Sequence, residues 1–137
     1  MTDVEPSDGM SVRVDRLSVY SVMTVEGSID FGTHERLGER LTEALELTRT
    51  AVIVDMAAVG FCDSAGLRVF ARAIRETRMR GMSLVVTGLH GRVANVFEMT
   101  GLAQEMFVRT DVESAVSWLE TGQSRVGERP TFGPGSG

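Results

Sequence analysis

The chain has one cysteine, Cys62, and no lysine among its 137 residues. A single cysteine excludes a disulfide within the chain and any zinc site built on several cysteines. All 14 basic residues are arginine, a side chain that binds carboxylates and phosphates through paired hydrogen bonds. The net charge of −5 argues against nucleic acid as the main partner, because duplex binding normally needs a basic surface.

Long apolar runs are also lacking. No stretch approaches the roughly 20 apolar residues of a membrane-spanning helix, and the N-terminal residues lack the apolar core of a signal peptide. We therefore predict a cytoplasmic protein that has no membrane partner. Apolar residues still make up 42% of the chain and charged residues 24%, a composition typical of one globular domain with a real core.

Composition divides the chain into three parts. Residues 1–9 are polar and contain Pro6 and Gly9, so we expect a flexible N-terminus. Residues 10–121 carry the periodic apolar pattern and form the predicted domain. Residues 122–137 are rich in glycine and proline and have little to bury, so we expect a disordered tail.

Strand and helix patterns alternate within the predicted domain. Residues 10–16 and 19–26 have apolar side chains at every second position, and the short link between them predicts a hairpin. The other predicted strands are residues 51–56, 82–87 and 105–109, and the predicted helices are residues 33–47, 64–80, 91–100 and one opened by a capping-box sequence at 110–113. The order β-β-α-β-α-β-α-β-α predicts an α/β domain whose mixed, mostly parallel sheet has about five strands, with about four helices.

The most informative stretch follows the apolar strand at residues 51–56. There a polar turn brings Asp63 and Ser64 to the start of the second predicted helix. Backbone N–H groups point outward at a helix start, and the partial positive charge there tolerates added negative charge. The serine hydroxyl is therefore a plausible place to add and later remove a phosphate.

Other interpretations of this stretch stay open. Serine is common as a helix N-cap. A hydrolase nucleophile elbow also joins a strand to a helix, but Cys62 replaces its first glycine, and only His34 and His90 could supply a base. Cys62 follows the apolar Phe61, which favours simple burial over a reactive thiol.

Two further groups of charged residues lie near this stretch. Asp30 and Asp63 each follow a predicted strand and are expected to converge at one sheet edge, although no third metal ligand stands out. Arg68, Arg72 and Arg75 share one face of the second helix, which is either a solvated face or a docking stripe that begins at Ser64. Arg68 is four residues beyond Ser64, within reach of a phosphate there.

Four collinear motifs carry a resemblance to a known family, the anti-sigma factor antagonists, which are single STAS domains. Residues 27–30 (GSID) resemble the family's G-E-[LI]-D, and residues 54–67 (VDMAAVGFCDSAGL) resemble D-L-x-x-V-x-F-[ML]-D-S-[ST]-G-L. Residues 81–86 (GMSLVV) resemble G-G-x-[LM]-x-[LV], and residues 97–102 (FEMTGL) resemble F-x-[ML]-[ST]-G-L. Together the matches span about residues 10–120.

The resemblance implies a regulatory binding protein, with no enzymatic activity and no cofactor. In this family the unphosphorylated antagonist binds an anti-sigma factor, itself a serine kinase of the GHKL ATPase type, and so releases a sigma factor. Phosphorylation of the motif serine blocks binding, and a PP2C-type phosphatase reverses it. By this match Ser64 is the phosphoacceptor. The predicted partner-binding residues are Asp30, Asp63, Ala65, Gly66, Leu67, Arg68 and Arg72.

The chain departs from the family pattern at three motif positions. Ser28 replaces a glutamate and lowers the local negative charge, and Cys62 replaces an apolar residue. Ala65 replaces a serine or threonine, which leaves Ser64 as the sole phosphoacceptor in the motif. Two other functions stay open: a STAS scaffold or transport-complex subunit without a sigma-factor role, and a serine hydrolase.

Overall fold

The computed structural model describes the backbone of residues 2–7, and the backbone and side chains of residues 9–17 and 19–121. Its elements, in chain order, are β1 (Thr2–Ser7), β2 (Met10–Leu17), β3 (Tyr20–Ile29), α1 (His34–Glu46), β4 (Ala51–Cys62), α2 (Ser64–Arg80), β5 (Ser83–Thr87), α3 (Gly91–Met99), a 3₁₀ turn (Leu102–Glu105), β6 (Phe107–Arg109) and α4 (Val112–Glu120). The predicted α/β class, mixed sheet and four helices are confirmed for the described residues.

The strands form one sheet in the order β1-β2-β3-β4-β5-β6. β2 runs antiparallel to both of its neighbours, β1 and β3, and β3 to β6 are parallel. Each parallel connection passes through a helix, because parallel neighbours need a long crossover. The predicted hairpin and the mostly parallel remainder are therefore confirmed.

The sheet has one more strand than we predicted, because β1 occupies residues expected to form a flexible N-terminus. Its six residues pair antiparallel with β2, from Thr2 opposite Asp15 to Ser7 opposite Met10. An edge strand tolerates proline, since its outward N–H positions need no partner, and Pro6 therefore does not exclude a strand here. The predicted tail, residues 122–137, lies outside the described residues.

Both faces of the sheet carry helices. Val52, Val54 and Met56 of β4 belong to the larger core under α1, α2 and α3, whereas Ile53 points to the opposite face and packs with Ala115 of α4. This alternation follows from the two-residue period of a strand. Because both faces are covered, the central strands read as nearly continuous apolar runs.

Two details of the helices differ from what their sequence patterns favour. The many charged residues of α1 favour a solvated face, but Arg40 is only 9% exposed, and its guanidinium lies 3.6 Å from the Glu43 carboxylate. A long arginine stem can cover apolar surface in this way. In α2, Ala73 is buried, whereas Ala71, one position after the buried Phe70, is only half-buried.

The start of α4 also differs from the predicted capping box. The N-cap is Asp111 and not Thr110, and its Oδ1 accepts a hydrogen bond from the Ser114 N–H at 2.8 Å. An aspartate side chain can cap a free N–H group at a helix start as well as a threonine can. The helix therefore starts one residue later than the capping box at residues 110–113 predicts. Among the described residues, no helix has the length and apolar character needed to cross a membrane.

Candidate functional site

Ser64 is the first residue of α2, and Asp63 is its N-cap. The Asp63 Oδ1 accepts hydrogen bonds from the Ala65 N–H at 2.9 Å and the Gly66 N–H at 3.2 Å. Since the aspartate already caps the helix, the alternative that Ser64 is the cap is wrong. The Ser64 side chain is exposed at the positive end of a 17-residue helix.

The strand that leads to this helix is longer than predicted. β4 continues to Cys62 and does not end at Met56, because its pairing with β3 continues through two register shifts. Ile29 and Cys62 are paired at the end of this ladder, and the Asp63 N–H donates to the Ile29 carbonyl at 3.0 Å. Asp63 therefore follows the strand directly and has a fixed position.

Asp30 lies at the same edge of the sheet, one residue beyond Ile29, so the predicted convergence with Asp63 is confirmed. Its Oδ1 accepts hydrogen bonds from the Gly32 N–H at 2.9 Å and the Thr33 N–H at 3.1 Å. The carboxylate thus holds the loop between β3 and α1 in one shape. No group of three His, Cys, Asp or Glu side chains in the described part of the chain is arranged to hold a metal ion.

Gly66 allows the first turn of α2 to lie tightly against the two strand ends. A Cβ atom at this position would lie 2.5 Å from the Ile29 Cγ2 and 2.7 Å from the Cys62 Sγ. Gly66 and Ala65 are both buried, so these two predicted partner-binding residues lie behind the surface. Leu67 is half-buried against the core.

Ser64 and the remaining residues predicted to bind the partner are accessible to solvent. Ser64, Arg68 and Arg72 are exposed along one face of α2, and Asp30 and Asp63 are partly exposed. The residues that can touch a partner thus form a strip along α2 next to the β3–α1 loop.

Cys62 is buried and is not a nucleophile of this site. Its side chain is 5% exposed, and burial, followed by the nearby Asp63 carboxylate, raises the pKa of the thiol to about 12. At neutral pH the thiol is therefore protonated, and the protonated form is unreactive.

Neither histidine is placed to activate Ser64. The His34 Nδ1 lies 2.8 Å from the Phe31 carbonyl, and the His90 Nε2 lies 2.9 Å from the Ala57 carbonyl. Within the described residues, no hydrogen bond joins either ring to the serine. A nucleophile needs a base in hydrogen-bond reach, so this geometry does not favour the hydrolase alternative.

Two aromatic residues at this edge were not predicted as site residues. Phe31 is 78% exposed on the Asp30 loop, and Phe61 is 50% exposed near the end of β4. Exposed aromatic side chains are enriched at the centres of protein interfaces. The available sequence signal was an apolar residue between Asp30 and Gly32, in a turn where a polar residue is usual.

A groove between α1 and α2 was also missed. Glu35 and Glu39 lie on its α1 wall, and Arg68 and Arg72 lie on its α2 wall. Because α1 and α2 are separated in sequence by the whole of β4, the sequence pattern gave no direct sign that these walls face each other.

Comparison with known proteins identifies the family. The profile of the STAS domain matches residues 11–115. An anti-sigma-B factor antagonist of Listeria monocytogenes is 38% identical over 80 residues, which are 58% of this chain and 69% of the relative.

Solved structures share the fold. An anti-sigma factor antagonist from Mycobacterium paratuberculosis superposes with a TM-score of 0.71 at 22% identity, over 84% of this chain and 97% of that one. The antagonist SpoIIAA in its unphosphorylated form superposes with a TM-score of 0.70 at 20% identity, over 80% of this chain and 96% of that one. Its phosphorylated form, described as a Bacillus cell fate determinant, superposes with a TM-score of 0.63 at 19% identity, over 79% of this chain and 98% of that one. This chain belongs to the STAS domain family and, within it, to the anti-sigma factor antagonists.

Proposed function

We propose that this protein binds an anti-sigma factor and thereby releases a sigma factor, and that phosphorylation of Ser64 switches the binding off. The partner in this proposal is an anti-sigma factor that is also a serine kinase of the GHKL type. A PP2C-type phosphatase resets the protein. The relative from Listeria monocytogenes, named as an antagonist of this kind, supports the proposal.

The observation that carries the proposal is the state of Ser64. Its side chain is exposed, whereas the neighbouring Asp63 carboxylate is engaged by two backbone N–H groups. The hydroxyl is thus accessible to a kinase without any unfolding of α2. The aspartate fixes the helix end that presents it.

The protein itself can accommodate a phosphate on Ser64. Phosphorylation adds about −1.5 to −2 charge at neutral pH. The first turn of α2 contains no acidic residue, and its N-terminus carries a partial positive charge that stabilises an anion. Arg68, one turn further on, places a cation on the same face.

The same phosphate is unfavourable in a protein interface. A doubly charged group that loses its water without gaining a partner destabilises the complex by several kcal/mol, and changing a ratio of states from 1:99 to 99:1 takes about 5.5 kcal/mol. The modification can therefore act directly at the contact, without a change of fold.

The first test is intact-protein mass spectrometry after incubation with ATP and each purified anti-sigma kinase from the same organism. We expect the wild-type chain to gain one phosphate and Ser64→Ala to gain none. Ser114→Ala is the matched control, because Ser114 is also exposed in the first turn of a helix capped by aspartate. It should be phosphorylated like the wild type.

The second arm of this test measures binding. The unmodified chain should bind one of these kinases and displace its sigma factor, and the phosphorylated chain should do neither. A chain that binds none of them would contradict the proposal. Phosphorylation that persists in Ser64→Ala would contradict the assignment of the acceptor.

A further inference from the structure

The groove between α1 and α2 has walls of opposite charge that do not neutralise each other. We call it the split groove and define it by Glu35 and Glu39 on the α1 wall and Arg68 and Arg72 on the α2 wall. All four side chains are exposed. Among the described residues, none of the four takes part in an ion pair or a hydrogen bond.

Two arginines near the C-terminus of α2 differ in this respect. The Arg78 Nη2 lies 2.7 Å from the Glu105 Oε1, and the Arg80 Nε lies 3.3 Å from the Glu76 Oε2. Arg78 and Arg80 are therefore paired with carboxylates of the same chain. Arg68 and Arg72, which lie closer to Ser64, can pair with a binding partner instead.

Small or apolar residues also line the split groove. They are Gly38, Ala65 and Val69, and a second hollow continues along the same two helices as far as Glu76. A partner segment can therefore approach the helices closely between the charges. With acidic groups toward α2 and basic groups toward α1, that segment would pair with both walls.

Ser64, Arg68 and Arg72 follow one another at intervals of four residues, so they line one face of α2 from its N-terminus. A phosphate on Ser64 would bring about −1.5 to −2 charge to the arginine wall. That charge nearly cancels the two arginines, while Glu35 and Glu39 keep the opposite wall negative. Phosphorylation would thus convert a groove of two signs into an acidic one.

We propose that the split groove is a docking surface for a mixed-charge segment of the anti-sigma factor, and that phosphorylation of Ser64 weakens docking by cancelling the arginine wall. The inference rests on the proposed function for the identity of the partner. It adds the surface, the chemistry of the segment that the surface accepts and the electrostatic route of the switch.

The test uses charge substitutions on the full, unphosphorylated chain with Ser64 intact. Binding to the anti-sigma factor is measured by calorimetry at several salt concentrations. Neutralising the arginine wall with Arg68→Gln and Arg72→Gln should weaken binding roughly three- to tenfold, and Arg72→Glu should weaken it more, because like charges then face each other. The weakened variants should also depend less on salt than the wild type.

Each helix supplies a matched control. Arg75→Gln removes an exposed arginine of α2 that does not line the groove, and it should bind like the wild type. Glu39→Gln on the α1 wall should weaken binding, whereas Glu46→Gln, exposed on α1 but outside the groove, should not. Thermal melts check that all variants fold.

The outcomes separate the two proposals. If the wild type binds and the wall variants keep its affinity and salt dependence, the docking surface is overturned and the proposed function stands. If Arg75→Gln and Glu46→Gln weaken binding as much as the wall variants, the effect is not specific to the groove and the docking surface is overturned. If the wild type binds no anti-sigma factor, the proposed function is overturned and the groove loses its assigned occupant.

Discussion

At the scale of single residues, Cys62 shows how burial next to the site controls chemistry. Burial disfavours the thiolate and raises the pKa of this thiol to about 12 in the folded chain, from about 9 for an accessible thiol. The unfolded thiol therefore ionises first as the pH rises. The contribution of Cys62 to folding stability is complete below pH 9 and is lost as the pH rises toward 12.

We predict that iodoacetamide modifies Cys62 very slowly in the native chain between pH 7 and 10, because only the thiolate reacts. The rate should be less than about a tenth of the rate for the chain unfolded in urea. Cys62 is the sole cysteine, so mass spectrometry assigns the product without ambiguity. Rapid modification of the native chain near pH 8 would show that the thiol is accessible and ionised. The interpretation of this residue as buried would then be wrong.

Individual residues were predictable where a local pattern determines them. Asp30 and Asp63 follow strands that end at the same edge, and the apolar character of those strands was visible in the sequence. Burial of Arg40 was not predictable, since a charged side chain on a helix face normally stays in water. Phe31 is exposed because hydrogen bonds to Asp30 fix the conformation of its loop. Apolar periodicity predicts helices and strands but not the conformation of a loop, so this exposure was not predictable.

At the scale of elements, two helical glycines have opposite roles. A Cβ atom on Gly38, within α1, would lie 3.9 Å from the Val69 Cγ2, an ordinary contact distance. A Cβ atom on Gly66 would lie 2.5 Å from the Ile29 Cγ2, which is too close for any real side chain. One glycine leaves room between two helices, and the other allows a helix to touch two strand ends.

These distances predict opposite changes in stability. Gly38→Ala should stabilise the fold by about 0.5–1 kcal/mol, because alanine favours the helix and meets no clash. Gly66→Ala should destabilise it by about 1–3 kcal/mol, since Ile29 or the helix start must move. Urea unfolding of both variants measures the difference. Equal effects of the two substitutions would contradict the close packing of Gly66.

Element boundaries were predictable where caps determine them. The predicted range of α2 matches the structure because Asp63 caps its start and Gly81, with φ of 69°, ends it. The end of β4 was not predictable, since the strand continues through irregular pairing with β3 that leaves no apolar alternation. The split groove was missed because it needs two helices from different crossovers to lie side by side.

At the scale of the whole molecule, the sheet separates the candidate site from α4. The first turn of α2 packs with the core that also contains α1 and α3, whereas Trp118 of α4 packs with the cluster on the opposite face. The Trp118 ring lies 4.7 Å from the Phe107 ring, and the Arg109 guanidinium carbon lies 4.3 Å above it. A switch that acts only through charge at the surface should not reach this layer.

The acidic variant Ser64→Glu tests that separation. Glutamate in the first turn of a helix is favourable, so we expect its free energy of unfolding to stay within about 1 kcal/mol of the wild-type value. Trp118 is the only tryptophan, and its emission maximum should stay unchanged in the native variant and shift only on unfolding. Ser114→Glu is the control, because it places the same charge in the first turn of α4, the helix that carries Trp118.

A shifted native emission in Ser64→Glu, comparable to that of the control, would mean that charge at Ser64 rearranges the far face of the sheet. The switch would then require a conformational change and could not act through the surface alone.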